Sequence, residues 1–254
     1  MSARKPLIAA NWKMYKTPAQ ALEFAHAFLP LVHHHTRDEI VLCPPFVDLA
    51  ALVEATRGTR IQIGAQNMHW QEEGALTGEI SAGMLTAAGC THVIVGHSER
   101  RQFFGETDQT VNRKLRAALQ HKLTPIFCVG ELLAERESGQ TEEVLLRQTA
   151  QGLLDIAPEH ARSIVIAYEP VWAIGTGKTA TPEMAAEAHL MIRSQVARIL
   201  GRQIADGMRI LYGGSVKPDN AASLLNQPEI DGALVGGASL DAHSFARIVT
   251  YTGV

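Results

Sequence analysis

Short apolar runs alternate with longer amphipathic stretches from one end of the chain to the other. The runs occupy positions 7–13, 40–44, 61–66, 92–97, 124–129, 164–169, 208–213 and 232–235. They are nearly continuous in apolar residues, as expected of strands covered on both faces. Helix signals lie between them. Thr17-Pro18 and Thr181-Pro182 each place an N-cap residue before a proline at the first helical position. A helical pattern from Ala185 to Leu200 stops at Gly201. Asp108 precedes Val111, Leu115, Ala118 and Leu119, which share a helical face, and Asp241 likewise precedes Phe245, Ile248 and Val249. Eight strand–helix units in succession predict parallel strands joined by crossover helices. Eight such units close on themselves more naturally than they form an open sheet, so the expected fold is a (β/α)8 barrel of the α/β class. No linker rich in proline, glycine, serine or charge divides the chain, and residues 1–254 are expected to form one domain.

Composition narrows the function classes. With 46% hydrophobic and 19% charged residues over 254 positions, the chain is not of the disordered type. A formal charge of −3 leaves no electrostatic footprint for nucleic acid or an anionic membrane. Neither a run of ~18 apolar residues nor a cleavable leader is apparent. Cys43, Cys90 and Cys128 are widely spaced and form no C-x-x-C pair. This argues against a disulfide framework or a thiolate metal site and favours a reducing cytoplasm.

Chemistry in such a barrel is expected at the C-terminal strand ends. In the first strand, alternation puts Leu7, Ala9, Asn11 and Lys13 on one face, delivering an amide and a cation to the barrel mouth. In the fourth, Val93, Val95 and His97 share a face, and Ser98-Glu99-Arg100-Arg101 opens a helix behind the histidine. A helix start and a nearby Lys13 both disfavour a second charge on that ring, so His97 is expected to stay neutral, with a pKa below the ordinary value of about 6.5. The sixth strand carries Ser163, Val165, Ala167 and Glu169 on one face, ending in a carboxylate that is costly to bury without a purpose. The segment 171–180 then brings Val, Trp, Ala and Ile into a loop with two glycines, the composition of a lid with an apolar underside. Gly213-Gly214-Ser215 and Gly236-Gly237 end the seventh and eighth strands, where bared backbone N–H groups suit a phosphate.

Other signals carry less. Gly177-Lys178-Thr179 lacks the glycine five residues earlier that a nucleotide loop needs, since Trp172 stands there. The glycines at 175 and 177 precede the helix rather than open it, against a dinucleotide site. His33-His34-His35 is expected to be a solvated surface, because adjacent helical residues do not converge on a metal. Cys128 is expected to be a packing residue. Residues 131–147 are expected to form a solvated, charged helical face. The loop 67–80 is long for a βα connection. With Met68 and Trp70 taken as exposed, it is expected to dock on something.

The runs Asn11-Trp12-Lys13-Met14, Val95-Gly96-His97-Ser98-Glu99-Arg100-Arg101, Ala167-Tyr168-Glu169-Pro170-Val171-Trp172-Ala173-Ile174-Gly175-Thr176-Gly177, Tyr212-Gly213-Gly214-Ser215-Val216 and Val235-Gly236-Gly237-Ala238-Ser239 together resemble the triosephosphate isomerases. The resemblance implies a TIM barrel that interconverts dihydroxyacetone phosphate and D-glyceraldehyde 3-phosphate in glycolysis and gluconeogenesis. It implies Glu169 as the base, His97 as the proton donor and shuttle, and Lys13 and Asn11 as electrostatic support. Gly175, Ser215, Gly236 and Gly237 would hold the phosphate, with Glu99 supporting the site from behind. No metal or other cofactor is implied. The family resemblance further implies a homodimer in which the loop 67–80 reaches the neighbour, with Thr77 near its Asn11 and Lys13. Another phosphate-binding barrel remains an alternative at this stage, such as a sugar-phosphate isomerase or a Schiff-base aldolase using Lys13.

Overall fold

The strands fall where the apolar runs do, but most are shorter. In the computed structural model, which describes residues 4–174 and 179–252, they are β1 (Leu7–Asn11), β2 (Glu39–Cys43), β3 (Ile61–Ala65), β4 (His92–Val95), β5 (Thr124–Val129), β6 (Val165–Tyr168), β7 (Arg209–Tyr212) and β8 (Gly232–Val235). Each pairs in parallel with the next, and β8 returns to β1, giving the closed barrel expected. Helices cross over between strands. Thr181 caps the helix Pro182–Leu200 by accepting the Met184 N–H at 3.2 Å, and Gly201 ends it at φ +90°. Asp241 caps Ala242–Val249 through the Ser244 N–H at 2.8 Å. One cap differs from expectation. Thr107, not Asp108, precedes the helix Asp108–Gln120. Asp108 instead bridges Arg101 and Arg147.

Period-2 alternation sorts the strand residues into two apolar layers. Leu7 and Ala9 of β1, Cys128 of β5, Val165 and Ala167 of β6, and Leu211 of β7 fill the barrel interior. Their neighbours Ile8, Ala10, Ile166 and Ile210 face the helices. Fully burying a side chain of this size stabilises by roughly 1.5–3 kcal/mol, so the double layer carries most of the fold's favourable free energy.

The two barrel ends are built differently. At the N-terminal end, charges are paired. Arg209 of β7 reaches Glu39 of β2, and His92 of β4 lies 3.3 Å from the same carboxylate. Alongside, Arg193 binds Asp231 at 2.7 Å and Glu229 at 2.6 Å. At the C-terminal end, six strands stop one or two residues short of their apolar runs. The residues left over are Lys13, His97, Glu169 and Gly213, among others. There the backbone leaves the sheet to aim polar groups inward, with Lys13 at φ +53° and Gly96 at φ +77°.

Among the described residues, no helix is long and apolar enough to cross a membrane. Cys43, Cys90 and Cys128 are free thiols, all buried.

Candidate active site

Asn11 ends β1 buried, and its side-chain oxygen accepts the Lys13 N–H at 3.0 Å. Gln66, just past β3, donates its amide to the Lys13 carbonyl at 2.8 Å. These two bonds hold Lys13 in a left-handed conformation that a non-glycine residue adopts only under constraint. The Lys13 ammonium lies 2.6 Å from Glu99 Oε1.

The fourth strand corrects the expectation of simple alternation. Val93 and Val95 face the helices, not the interior, which Ile94 enters instead. Unbroken alternation would have sent His97 outward too. Gly96, at φ +77°, breaks the period and turns His97 into the barrel mouth. His97 then caps the helix Ser98–Phe103, its Nδ1 accepting the Glu99 N–H at 3.3 Å.

Glu169 follows β6 and is 2% exposed. Its N–H donates to the Val129 carbonyl at 2.7 Å, which continues the sheet one bond past the strand. Its Oε1 lies 2.9 Å from His97 Nε2, and its Oε2 accepts the Ser98 N–H at 2.9 Å. Gly213 is needed alongside, because a Cβ there would stand 2.9 Å from Glu169 Cγ. A cavity of about 350 Å³ opens between these groups. Asn11, Lys13, His97, Glu169, Ser215, Gly236 and Gly237 all line it. Side chains from β1, β4 and β6 thus meet the glycine turns after β7 and β8 across one small space. Gly175 lies outside the described residues, as does the lid sequence from 175 to 178.

A family model for triosephosphate isomerase matches residues 6–252. The chain belongs to the triosephosphate isomerase family. It is 61% identical to the triosephosphate isomerase of Solibacter usitatus, covering 98% of this chain and all of that protein. It is 57% identical to that of Geobacter metallireducens, over 98% and 99% of the two chains. Among solved structures, it is similar to triosephosphate isomerase from Bartonella henselae with a TM-score of 0.88 at 41% identity, covering 96% of this chain and 97% of that one.

Within this triosephosphate isomerase site, the electrostatics depart from expectation at one point. Burial opposes the charge on Glu169, but His97 and the Ser98 N–H outweigh it and hold the carboxyl below its usual range. Burial likewise opposes a charge on His97, yet Glu169 at 2.9 Å outweighs that, with Glu99 adding to the effect, and the pKa is raised. The expectation of a lowered value is therefore overturned. It weighed the helix start and Lys13, whereas the Glu169 carboxylate rests against the ring. Lys13 and burial act downward as expected.

Three further groups were not foreseen from the sequence. Ser98 contributes only its backbone N–H, which no side-chain pattern announces. Gln66 supports Lys13 from a strand end that carried no charge to draw notice. Glu131 was assigned to a solvated face, but it is fully buried. It accepts hydrogen bonds from Tyr168 Oη at 3.0 Å, Trp172 Nε1 at 2.8 Å and Arg136 at 3.2 Å. It therefore fixes the segment leaving Glu169. Cys128 packs inside the barrel, and burial raises its thiol pKa so that it stays protonated.

The loop 67–80 also differs from expectation. Met68 is fully buried, and Trp70 packs against the core with His69 stacked on it at 4.0 Å. The His69 N–H binds the Ile80 carbonyl at 2.8 Å and closes the loop's base. The exposed part is the tip, residues 71–79, Thr77 included. Of the histidine cluster, His33 and His34 are exposed, and His35 binds Asp38 at 3.0 Å. Among the described residues, no group of three or more His, Cys, Asp or Glu is arranged to hold a metal ion.

Proposed function

We propose that Glu169 is the base, and His97 the proton donor, of the isomerisation that this family carries out between dihydroxyacetone phosphate and D-glyceraldehyde 3-phosphate. The observation that carries the assignment is the convergence of Glu169, His97 and Lys13 on one cavity whose far wall is the glycine turns. Moving a carbonyl one carbon along requires a base to remove the proton α to it. It also requires donors where the enediolate oxygens become negative. Glu169 is ionised and buried, with a titratable imidazole, the Ser98 N–H and the Cys128 thiol as hydrogen-bonding partners at hand. His97 has its Nδ1 occupied by the Glu99 N–H, which leaves Nε2–H as the donor that points into the cavity. Lys13 supplies positive charge, and Asn11 holds its backbone. Glu99 supports the site by orienting the Lys13 ammonium.

Ser215, Gly236 and Gly237, with Gly175, are the proposed phosphate anchors. A Cβ on Gly236 would stand 3.5 Å from Lys13 Cε, and one on Gly237 would meet nothing within 4 Å. These two positions therefore leave space beside the ammonium for a ligand rather than for packing. Glu169→Gln tests the assignment. A coupled assay should show kcat down by ~10²–10⁴-fold, with inorganic phosphate still bound, as loss of a general base requires. Near-normal turnover would overturn it.

We further propose a homodimer in the cytoplasm, with the exposed tip 71–79, including Thr77, seated against the partner near its Asn11 and Lys13. Met14 and Tyr15, next to Lys13, are 93% and 58% exposed, as suits a surface that a partner covers. Replacing residues 70–79 with a short turn should give a folded monomer of low activity. Analytical ultracentrifugation showing an unchanged oligomer would refute the dimer contact.

A further inference from the structure

The helix Thr141–Gly152 buries Val144, Leu145, Gln148, Thr149 and Gly152 toward the barrel. The two aliphatic side chains and the glycine need no explanation beyond packing. Gln148 does, because it is 6% exposed in a stripe where leucine would pack without desolvating an amide. Its Oε1 accepts the Gly130 N–H at 2.7 Å, and its Nε2 donates to the Gly130 carbonyl at 3.2 Å. One side chain therefore grips both polar groups of a single residue.

Gly130 is the first residue past β5, where the ladder to β6 has ended. A Cβ on it would lie 1.8 Å from the Glu169 carbonyl oxygen and 3.2 Å from Glu169 Cα. Gly130 thus presents bare backbone to the backbone of Glu169, and nothing on Gly130 itself can fix their spacing. A cavity of about 740 Å³ adjoins this contact, and Gln148, Gly130, Ser98 and Glu169 all border it. Packing does not close the space behind the contact. The Glu169 N–H holds the Val129 carbonyl side of this peptide at 2.7 Å, and the hydrogen bonds from Gln148 hold the Gly130 N–H and carbonyl from behind.

We propose that Gln148 is a positioning residue for Glu169, acting through Gly130. It touches neither substrate nor reacting atoms, and the inference rests on Glu169 being the base. A displacement of about 1 Å at a reacting group can cost ~10²-fold in rate. Gln148→Met keeps the volume and removes both bonds. It should lower kcat by ~10–100-fold, leave KM within about threefold, and leave inorganic phosphate binding unchanged. In a Glu169→Gln background the same substitution should cost less than about twofold more, because the group it positions is already gone. Gln148→Glu retains the acceptor for the Gly130 N–H and should lose less than Gln148→Met.

Normal kcat in folded Gln148→Met overturns the proposal, as does a full additional loss in the Glu169→Gln background. Failure of both Gln148 variants to unfold cooperatively also overturns it, by making the residue a structural one. Failure of the underlying assignment would look different, because Glu169→Gln alone would then retain turnover.

Discussion

Strand β4 begins at one histidine and leads two residues past its end to another, and each meets a glutamate under opposite terms. At the N-terminal end, His92 lies 3.3 Å from Glu39, but that carboxylate is also held by Arg209. A guanidinium stays charged at any working pH, so Glu39 is permanently neutralised. At the C-terminal end, His97 lies 2.9 Å from Glu169, and Lys13, which lines the same cavity, is engaged by Glu99 instead. Glu169 is left with an imidazole, one peptide N–H and the Cys128 thiol, none of them a permanent cation. The same residue pair is thus a fastening at one end and, in the proposed assignment, a reagent at the other. What separates them is whether an arginine completes the pair.

The largest expected effect separates the two histidines. His97→Gln should lower kcat by ~10²–10⁴-fold, the usual contribution of a positioned proton donor, while thermal stability changes little. His92→Gln should keep kcat within about twofold and lower the melting temperature instead. A coupled assay and a thermal melt on both variants suffice. Comparable losses of activity would mean that the two ends are not separate in function.

Glu39→Gln comes next. It leaves Arg209 without its carboxylate in a site where both groups are about a quarter exposed. Removing one partner of a fully buried pair costs ~3–5 kcal/mol, and solvent reduces that to about 1–3 here. Turnover should be unaffected. The pH dependence has a definite sign. Glu39 is held at about 2, with the bond to His92 the largest cause, offset in part by burial, and Arg209 adding to it. A depressed carboxyl pKa stabilises the fold fully above the unfolded value of about 4.3, and that stability is lost as pH falls through about 2. The gap in unfolding free energy between the parent chain and Glu39→Gln should therefore be constant above pH ~5 and close on acidification. A gap that is independent of pH would refute the ion-pair account.

A smaller effect is expected where the ligand, not the protein, fills the space. Gly236→Ala puts a methyl group 3.5 Å from Lys13 Cε without crowding other groups. It should raise KM by ~3–10-fold and weaken inorganic phosphate by the same factor, with kcat and melting temperature nearly kept, as loss of uniform binding predicts. A fall in kcat at unchanged KM would mean that the glycine serves the reacting end of the substrate instead.

How much of this was legible in the sequence depended on what carried the information. Strand positions followed from apolar runs, because a strand buried on both faces has little freedom in composition. Asn11 and Glu169 followed from alternation, because β1 and β6 keep their period up to those residues. His97 was found for a partly mistaken reason. The period fails at Gly96, and only the φ of that glycine turns the ring inward. Ser98 and Gly130 act through backbone atoms, which every residue has and no sequence pattern marks. Glu131 was hidden because it sits in a segment that reads as solvated helix, and Gln148 lies one residue beyond that segment. Their burial follows from how the helices pack on the barrel. Met68 and Trp70 went astray for the converse reason, since a long loop can bury its own base.

The smallest effect expected is a change in one proton, and it tests the upper pair directly. With Glu169 against the ring, the His97 pKa is raised. Burial opposes the cation, and Glu169 at 2.9 Å outweighs it. A group with a raised pKa adds stability that is complete below the unfolded value of about 6.5 and lost as pH rises through the folded one. A substrate oxygen entering the cavity must come between Nε2 and the carboxylate, since Nε2 is the only ring donor that faces it. The main influence raising the pKa is then displaced. Burial, the largest influence, remains and acts downward, while Glu99 acts upward and Lys13 opposes it. Nδ1 cannot take the second proton without giving up the Glu99 N–H. His97 should therefore titrate above the ordinary value in the free protein and below it once a phosphate-bearing mimic of the enediolate is bound. Nitrogen-15 NMR of labelled imidazoles, with His97→Gln for assignment, reads both states. The bound ring should show a neutral imidazole with Nε2 protonated. The mimic should also bind more tightly as pH rises through the free-state value, because binding selects the neutral ring. An unchanged His97 titration on binding would mean that Glu169 stays on the ring. The upper pair would then be a fastening like the lower one.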